Sequence, residues 1–305
     1  MSDKIIIDGG YSSMKAYHRR EWYKIPTSIS FANNTGLKFG ESKNHYDFEG
    51  DAYTIGAGVS DETSFSTADF KFKYKFEPLI IKHLRDVLKI ADDEVPEVVI
   101  SLALVDYGHK EELAERCREY VINGKTIKNR ITVMPQGIGA YIDYVTNIAK
   151  GVAPSDAFVI DIGYNTINAI YFDNGAPVRS KSRGYPNHGV SSIIKQFTHF
   201  LENSYSMAFS EQEAIKIFMK GKFTYNGELQ PEVTGMIETL KSQFVKTLFN
   251  SVLVSDKKLI STSEKVILAG GGVYYFDSID FPPNVDKVEN PYEFSNIRGM
   301  MIDQI

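Results

Sequence analysis

Cysteine and tryptophan are almost missing from this chain of 305 residues, with one of each, Cys117 and Trp22. A lone cysteine excludes an intrachain disulfide and the Cys-rich zinc modules, and makes a reducing cytoplasm the expected compartment. No apolar run approaches the roughly 20 residues that span a bilayer. There is no basic-then-apolar leader either, since the N-terminus runs directly into Lys4-Ile5-Ile6-Ile7. A membrane role is therefore not expected. Positive charge is in deficit: 34 Lys and Arg face 39 Asp and Glu, for a net charge of −5. Gripping nucleic-acid phosphates directly needs a basic field, so no direct nucleic-acid contact is expected. The six histidines include no closely spaced metal-like pair, and His188 and His199 are expected at the surface or lining a cleft. What is present is 43% hydrophobic residues and 12% aromatic ones, enough to bury sizeable cores in two domains.

The chain repeats itself. Ile5-Ile6-Ile7-Asp8-Gly9-Gly10 and Phe158-Val159-Ile160-Asp161-Ile162-Gly163 are both short apolar runs ending in Asp-x-Gly, with their aspartates 153 residues apart. Ile- and Val-rich runs of this length read as buried central strands. Each is followed by a polar hairpin and a further strand, then by a third strand, at Trp22 to Pro26 in one copy and Pro177 to Ser182 in the other. Glu97 to Ala103 matches Lys265 to Ala269 as another buried strand. Ile131 to Met134 leads to a helix over Gly137 to Ala149, as Val285 to Val288 leads to one over Pro291 to Ile302. Apolar stripes at Leu79, Ile80, Leu84, Val87 and Leu88, and at Ile193, Ile194, Phe197, Phe200 and Leu201, predict packed helices. The expected fold is α/β, a mixed sheet with helices against it, duplicated about a cleft. Residues 33–75 and 205–231 interrupt the symmetry as insertions, the second with a short helix around Ala214 to Met219 and a turn at Asn226-Gly227. The alternating run Phe70 to Phe76 reads as a blunted edge strand or a protein contact.

Glycines in a tight hairpin let backbone N–H groups converge on an anion. One Asp-x-Gly hairpin is ordinary turn chemistry; two at equivalent strand ends point to an oligophosphate held from both sides. Asp8 and Asp161 would repel bare phosphate, so Mg²⁺ is expected between them, reached largely through water. Lys15 supplies a point charge. Gly270-Gly271-Gly272, after the strand Val266 to Ala269, offers a flat platform for a purine. Gly189 to Ser192 opens a helix expected to face the second hairpin, and Lys216 is a candidate for reaching a purine or ribose. Cys117, on a helix with Leu113, reads as packing.

Together the two hairpins, Met134-Pro135-Gln136-Gly137, Ala269-Gly270-Gly271-Gly272 and Asn296-Ile297-Arg298-Gly299 resemble the actin superfamily of actins, chaperone ATPases and sugar kinases. The similarity is nearest to the bacterial ParM/StbA plasmid-segregation actins, and it spans nearly the whole chain in order. It implies a duplicated ribonuclease-H-like fold, with residues 1–148 plus 289–305 as the first domain and 149–288 as the second. It further implies ATP or GTP with Mg²⁺ as cofactors. The first phosphate loop would contain Asp8, Gly9, Gly10, Tyr11, Ser12, Ser13 and Lys15. The second would contain Asp161, Gly163, Tyr164, Asn165 and Thr166, with Gly270, Gly271 and Gly272 at the adenosine. Pro135-Gln136 would begin one connecting helix and Asn290 to Met301 form the other. Asp8, Asp161 and Gln136 are the catalytic candidates, Gln136 as the residue that orients the attacking water. A glutamine is no base at neutral pH, so hydrolysis in the monomer should be slow.

The resemblance implies a filament-forming nucleotidase that associates head to tail and moves plasmid or other DNA through a DNA-binding adaptor protein. Two other functions share the fold. A sugar-kinase-type phosphotransferase needs a catalytic base beyond the phosphate loops, and none is evident. A complete chaperone ATPase needs a client-binding domain, and none is expected here.

Overall fold

Ile5, Ile6 and Ile7 are buried on both faces of their strand, which places them at the centre of a sheet. The computed structural model describes residues 4–10, 13–32, 44–56, 70–276 and 281–302. Tyr11, Ser12 and much of the first insertion lie outside them. The chain divides into two units, Met1–Asp143 with Phe294–Ile305, and Tyr144–Glu293.

In the first unit, strands β1 (Lys4–Gly9), β2 (Ser13–His18), β3 (Glu21–Pro26), β4 (Ile29–Phe31), β5 (His45–Phe48) and β6 (Asp51–Ile55) precede helix α1 (Phe70–Val87). Then come β7 (Glu97–Leu102), α2 (Lys110–Arg118), β8 (Glu119–Ile122), β9 (Lys125–Lys128), β10 (Arg130–Pro135) and α3 (Ile138–Asp143), with the C-terminal helix Ser295–Ile302. The main sheet runs β10-β7-β1-β2-β3, parallel through the first three and antiparallel beyond. Strands β4, β6 and β5 form a separate small sheet, and Tyr53 on β6 meets Phe76 of α1 edge to face.

In the second unit, β11 (Asp156–Ile162), β12 (Thr166–Asp173), β13 (Ala176–Pro177) and β14 (Arg183–Pro186) precede α4 (Ser191–Tyr205) and α5 (Glu211–Lys220). The hairpin β15 (Thr224–Tyr225) and β16 (Glu228–Leu229), α6 (Pro231–Thr247), α7 (Lys257–Thr262), β17 (Lys265–Ala269) and β18 (Val285–Lys287) follow. The sheet path is β18-β17-β11-β12-β13, with β14 also on β12. That is the path and the strand polarity of the first unit. Each unit has its own apolar core.

The duplication holds at the level of single residues. Asp8 pairs across to Lys15 on β2 and to Ser101 on β7. Asp161 pairs to Asn168 on β12 and to Ala269 on β17. The two aspartates thus occupy one position in two copies of a sheet.

Four expectations are corrected. The run Phe70 to Phe76 is the start of α1, not an edge strand. Its alternation ends at Glu77-Pro78; Lys73 is buried while Phe70, Phe72 and Tyr74 are not, and burial is continuous from Phe76 to Arg85, as in a helix enclosed all round. Pro177 to Ser182 is not one strand: β13 stops after two residues, a turn of 3₁₀ helix follows, and pairing resumes at β14. Pro177 has no N–H to continue a ladder. The helix after Gln136 is α-helical only to Asp143, and Tyr144–Ile148 widens into a π-helical turn. The last helix begins at Ser295, after a 3₁₀ turn at Tyr292–Phe294.

Helix α3 and the C-terminal helix touch backbone to backbone. A Cβ on Gly139 would lie 2.1 Å from the Asn296 carbonyl oxygen, and one on Gly299 would lie 1.8 Å from that of Gly139. Arg298 locks the crossing, donating through Nε and Nη2 to the two oxygens of fully buried Asp143 at 2.8 and 2.7 Å. No described helix is long and apolar enough to cross a membrane.

Candidate functional site

In the first unit the functional candidates gather at the C-terminal ends of the parallel strands. Asp8 closes β1 and is buried. Its Oδ1 accepts from the Ser101 hydroxyl at the end of β7 and from Gln136 Nε2 at 3.0 Å. Gln136 Nε2 also lies 3.3 Å from Ser101 Oγ. The backbone explains the meeting: Asp8 and Ser101 are cross-strand partners, and Gln136 follows β10 with its N–H on the Leu102 carbonyl at 2.9 Å. One residue on, the Gly137 N–H donates to the Asn296 side chain at 2.7 Å, which ties the start of α3 to the C-terminal helix. The Gly10 N–H folds back onto the Asp8 carbonyl at 3.0 Å. Lys15 approaches the same turn, since a Cβ on Gly10 would lie 2.8 Å from its Nζ. Asp8, Gly9, Gly10, Lys15 and Gln136 are thus brought together, with Ser13 opening β2 beside them.

In the second unit Asp161 is buried near the end of β11, and Gly163 starts a tight turn by donating to the Thr166 carbonyl at 2.9 Å. The carbonyls of Gly163, Tyr164 and Asn165 all accept from the approach to α4, from Val190, Ser191 and Gly189 at 3.3, 2.8 and 3.3 Å. Within a planar trans peptide the C=O and N–H point in opposite directions. The N–H groups of Tyr164, Asn165 and Thr166 therefore turn together away from α4, as in an anion-binding nest. The bulk of Tyr164 does not obstruct this, because its hydroxyl is carried off to Glu211 on α5.

The glycine segment meets this loop directly. Gly270 has φ +83°, and a Cβ there would lie 2.4 Å from Asp161 Oδ1 and 2.6 Å from the Ile162 carbonyl oxygen. No side chain fits that position, which is why the strand leaves the sheet through glycine. Gly271 to Phe276 then form a 3₁₀ turn. The Tyr274 hydroxyl in that turn donates to Glu293 Oε2 at 2.6 Å and lies 3.0 Å from Asn290 Oδ1. Burial, followed by the hydrogen bond to Glu293, raises its hydroxyl pKa above the usual tyrosine value.

The donor set suits a magnesium-bound oligophosphate. Among the described residues no three carboxylate, imidazole or thiol side chains group to cage a metal. Asp8 and Asp161 are each a single strand-end carboxylate, the contribution Mg²⁺ takes when water and phosphate complete its octahedron. Lys15 in the first unit and the N–H nest of the second loop in the other are donors of the kind that phosphate accepts. Outside this set, Lys216 is exposed on α5, and His188 and His199 are exposed. Cys117 is fully buried in the first core.

Two contributors escaped the sequence reading. Ser101 is a hydroxyl inside an otherwise apolar buried strand, and that exception was the available signal. Lys73 donates through Nζ to the Gly9 carbonyl at 2.9 Å; its signal was masked by the aromatic alternation around it.

Comparison with known proteins agrees with this anatomy. Residues 7–139 match the family model "Actin like proteins N terminal domain", and residues 159–279 match "Archaeal actin homologue MreB-like, C-terminal". A search of curated proteins finds no significant sequence match. Among solved structures, a ParM from a 15-stranded filament of Clostridium botulinum superposes with a TM-score of 0.74 at 20% identity, covering 100% of this chain and 99% of that one. The archaeal actin homolog Ta0583 in complex with ADP gives 0.71 at 17% identity, over 97% of both chains. Bacillus thuringiensis ParM with ATP gives 0.66 at 15% identity, over 97% of this chain and 96% of that one.

Proposed function

The chain has the actin-like fold of the actin, MreB and ParM superfamily, and from that premise we propose that it is a filament-forming nucleotidase. The observation that carries this reading is the repeated node: Asp8 and Asp161 at one register position in two equivalent sheets, each beside a glycine turn. Both loops serve one Mg-nucleotide, ATP or GTP, with Gly270 to Gly272 beside its base. Asp8 and Asp161 would hold Mg²⁺, and the ion, when bound, would neutralise phosphate charge. Asp8, Gly9, Gly10, Tyr11, Ser12, Ser13 and Lys15 bind phosphate on one side, and Asp161, Gly163, Tyr164, Asn165 and Thr166 on the other.

Gln136 orients the attacking water. Its amide already donates to the carboxylate of Asp8, so its position is fixed relative to the phosphate loop. An amide cannot remove a proton at neutral pH, so turnover is limited by positioning and by charge stabilisation. Nucleotide favours subunit addition, and hydrolysis then weakens the lattice. A relative solved as a filament and two solved with ADP or ATP support this reading. In the setting of plasmid or other DNA segregation, a DNA-binding adaptor protein links the filament to its cargo.

Light scattering and sedimentation with Mg-ATP, Mg-GTP and no nucleotide test the proposal. Nucleotide-dependent assembly is expected, with phosphate release following it, and Asp161→Ala should abolish both Mg-nucleotide binding and assembly. Persistent monomers at high concentration with either nucleotide, or an Asp161→Ala variant of unchanged affinity, would overturn it.

A further inference from the structure

We propose that Lys73 is a positioning residue for the nucleotide phosphates, acting from behind the first loop; this rests on the reading of that loop as a phosphate site. Lys73 stands in the first turns of α1 and is only 6% exposed, and its ammonium donates to the Gly9 carbonyl at 2.9 Å. Burying an ammonium is costly unless the charge is answered. The neighbouring acid answers it incompletely. Glu77, one helical turn on, is itself buried, and burial raises its carboxyl pKa while Lys73 pulls it down. Glu77 Oε1 has no hydrogen-bond partner among the described residues.

Both heads press on the same glycine. A Cβ on Gly9 would lie 2.9 Å from Lys73 Nζ and 3.3 Å from Glu77 Oε1. With Gly10, Met14, Thr27 and Phe72, they line a cavity of about 20 Å³, room for one water. A residue that merely filled this space would be apolar, because apolar packing avoids the desolvation cost.

The consequence for the loop follows from peptide planarity. Lys73 holds the Gly9 carbonyl inward, which fixes the Gly9-Gly10 peptide and the direction of the Gly10 N–H. That N–H points to the Asp8 carbonyl, 3.0 Å away. Lys73 therefore sets the first turn of the loop from behind, while Lys15 approaches Gly10 directly. Positive charge beneath the loop adds to its attraction for phosphate.

Titration calorimetry of the full chain with Mg-ATP and with AMP tests this, using Lys73→Met and, as a variant that keeps a polar head in the site, Lys73→Gln. Circular dichroism reports whether each folds. Loss of positioning is expected to weaken Mg-ATP binding tenfold or more in Lys73→Met while AMP affinity changes by less than threefold. Lys73→Gln should show the same selective loss, smaller in size. If Lys73→Met does not fold, Lys73→Gln decides by the same ratio. Folded variants that bind Mg-ATP as the parent does, or that lose Mg-ATP and AMP alike, overturn the proposal. A parent chain that binds neither Mg-ATP nor Mg-GTP overturns it together with the reading of the loop, whereas parent binding with an unselective loss overturns it alone.

Discussion

Asp8 Oδ1 accepts two hydrogen bonds, from Ser101 and from Gln136, and the two donors have separable consequences. Removing the Gln136 amide leaves the carboxylate held by Ser101, so nucleotide binding should survive. Gln136→Ala is therefore expected to slow phosphate release tenfold or more, about 1.4 kcal/mol in the barrier, with nucleotide affinity changed by less than threefold. Single-turnover phosphate release and equilibrium titration separate the two effects. An equal loss in both would make Gln136 a binding residue and remove its place in hydrolysis. Glutamine at this position was legible from the Met134 to Gly137 motif, but its bond to Asp8 was not. That contact joins residues 128 apart in sequence, and it depends on strands β1, β7 and β10 ending level. Ser101 was invisible for the same reason: a serine in a strand gains a role only when the register sets it opposite a carboxylate.

Among the elements, the crossing of α3 with the C-terminal helix has the least room for change. Gly299→Ala would drive a methyl into the Gly139 carbonyl, and overpacking of this kind costs about 1–3 kcal/mol. A fall of about 2–4 °C in melting temperature per kcal/mol is expected for a domain of this size, and differential scanning calorimetry measures it; an unchanged melting temperature would show that the helices separate freely. The buried Asp143–Arg298 pair argues against such freedom, because it fixes the crossing from the side. Strands β1, β7, β11 and β17 were legible because burial on both faces forces continuous apolar runs, and the repeat doubled the signal. The second half of α1 was legible from its apolar stripe at Leu79 to Leu88, but its first turns were not, since Phe70, Phe72, Tyr74 and Phe76 imitate a strand. Only the structure shows that the backbone is helical there and that Lys73 and Glu77 are buried with Phe76 while Phe70, Phe72 and Tyr74 are not. The third strand of the second copy failed for a local reason, at Pro177.

For the molecule as a whole, a net charge of −5 is unfavourable for condensing onto a polyanion. Electrophoretic mobility-shift experiments at physiological salt should show no retention of bare duplex DNA; tight direct retention would overturn the proposed adaptor. The same scale gives a practical meaning to the scarcity of cysteine. Cys117 is fully buried on α2, and burial holds its thiol pKa well above the ordinary cysteine value, so the reactive thiolate is suppressed at neutral pH. The folded chain therefore already behaves as a thiol-silent background. A cysteine introduced at an exposed position such as Lys216 is the one a maleimide dye would modify, so single subunits can be made visible by fluorescence without first removing a native residue from the core.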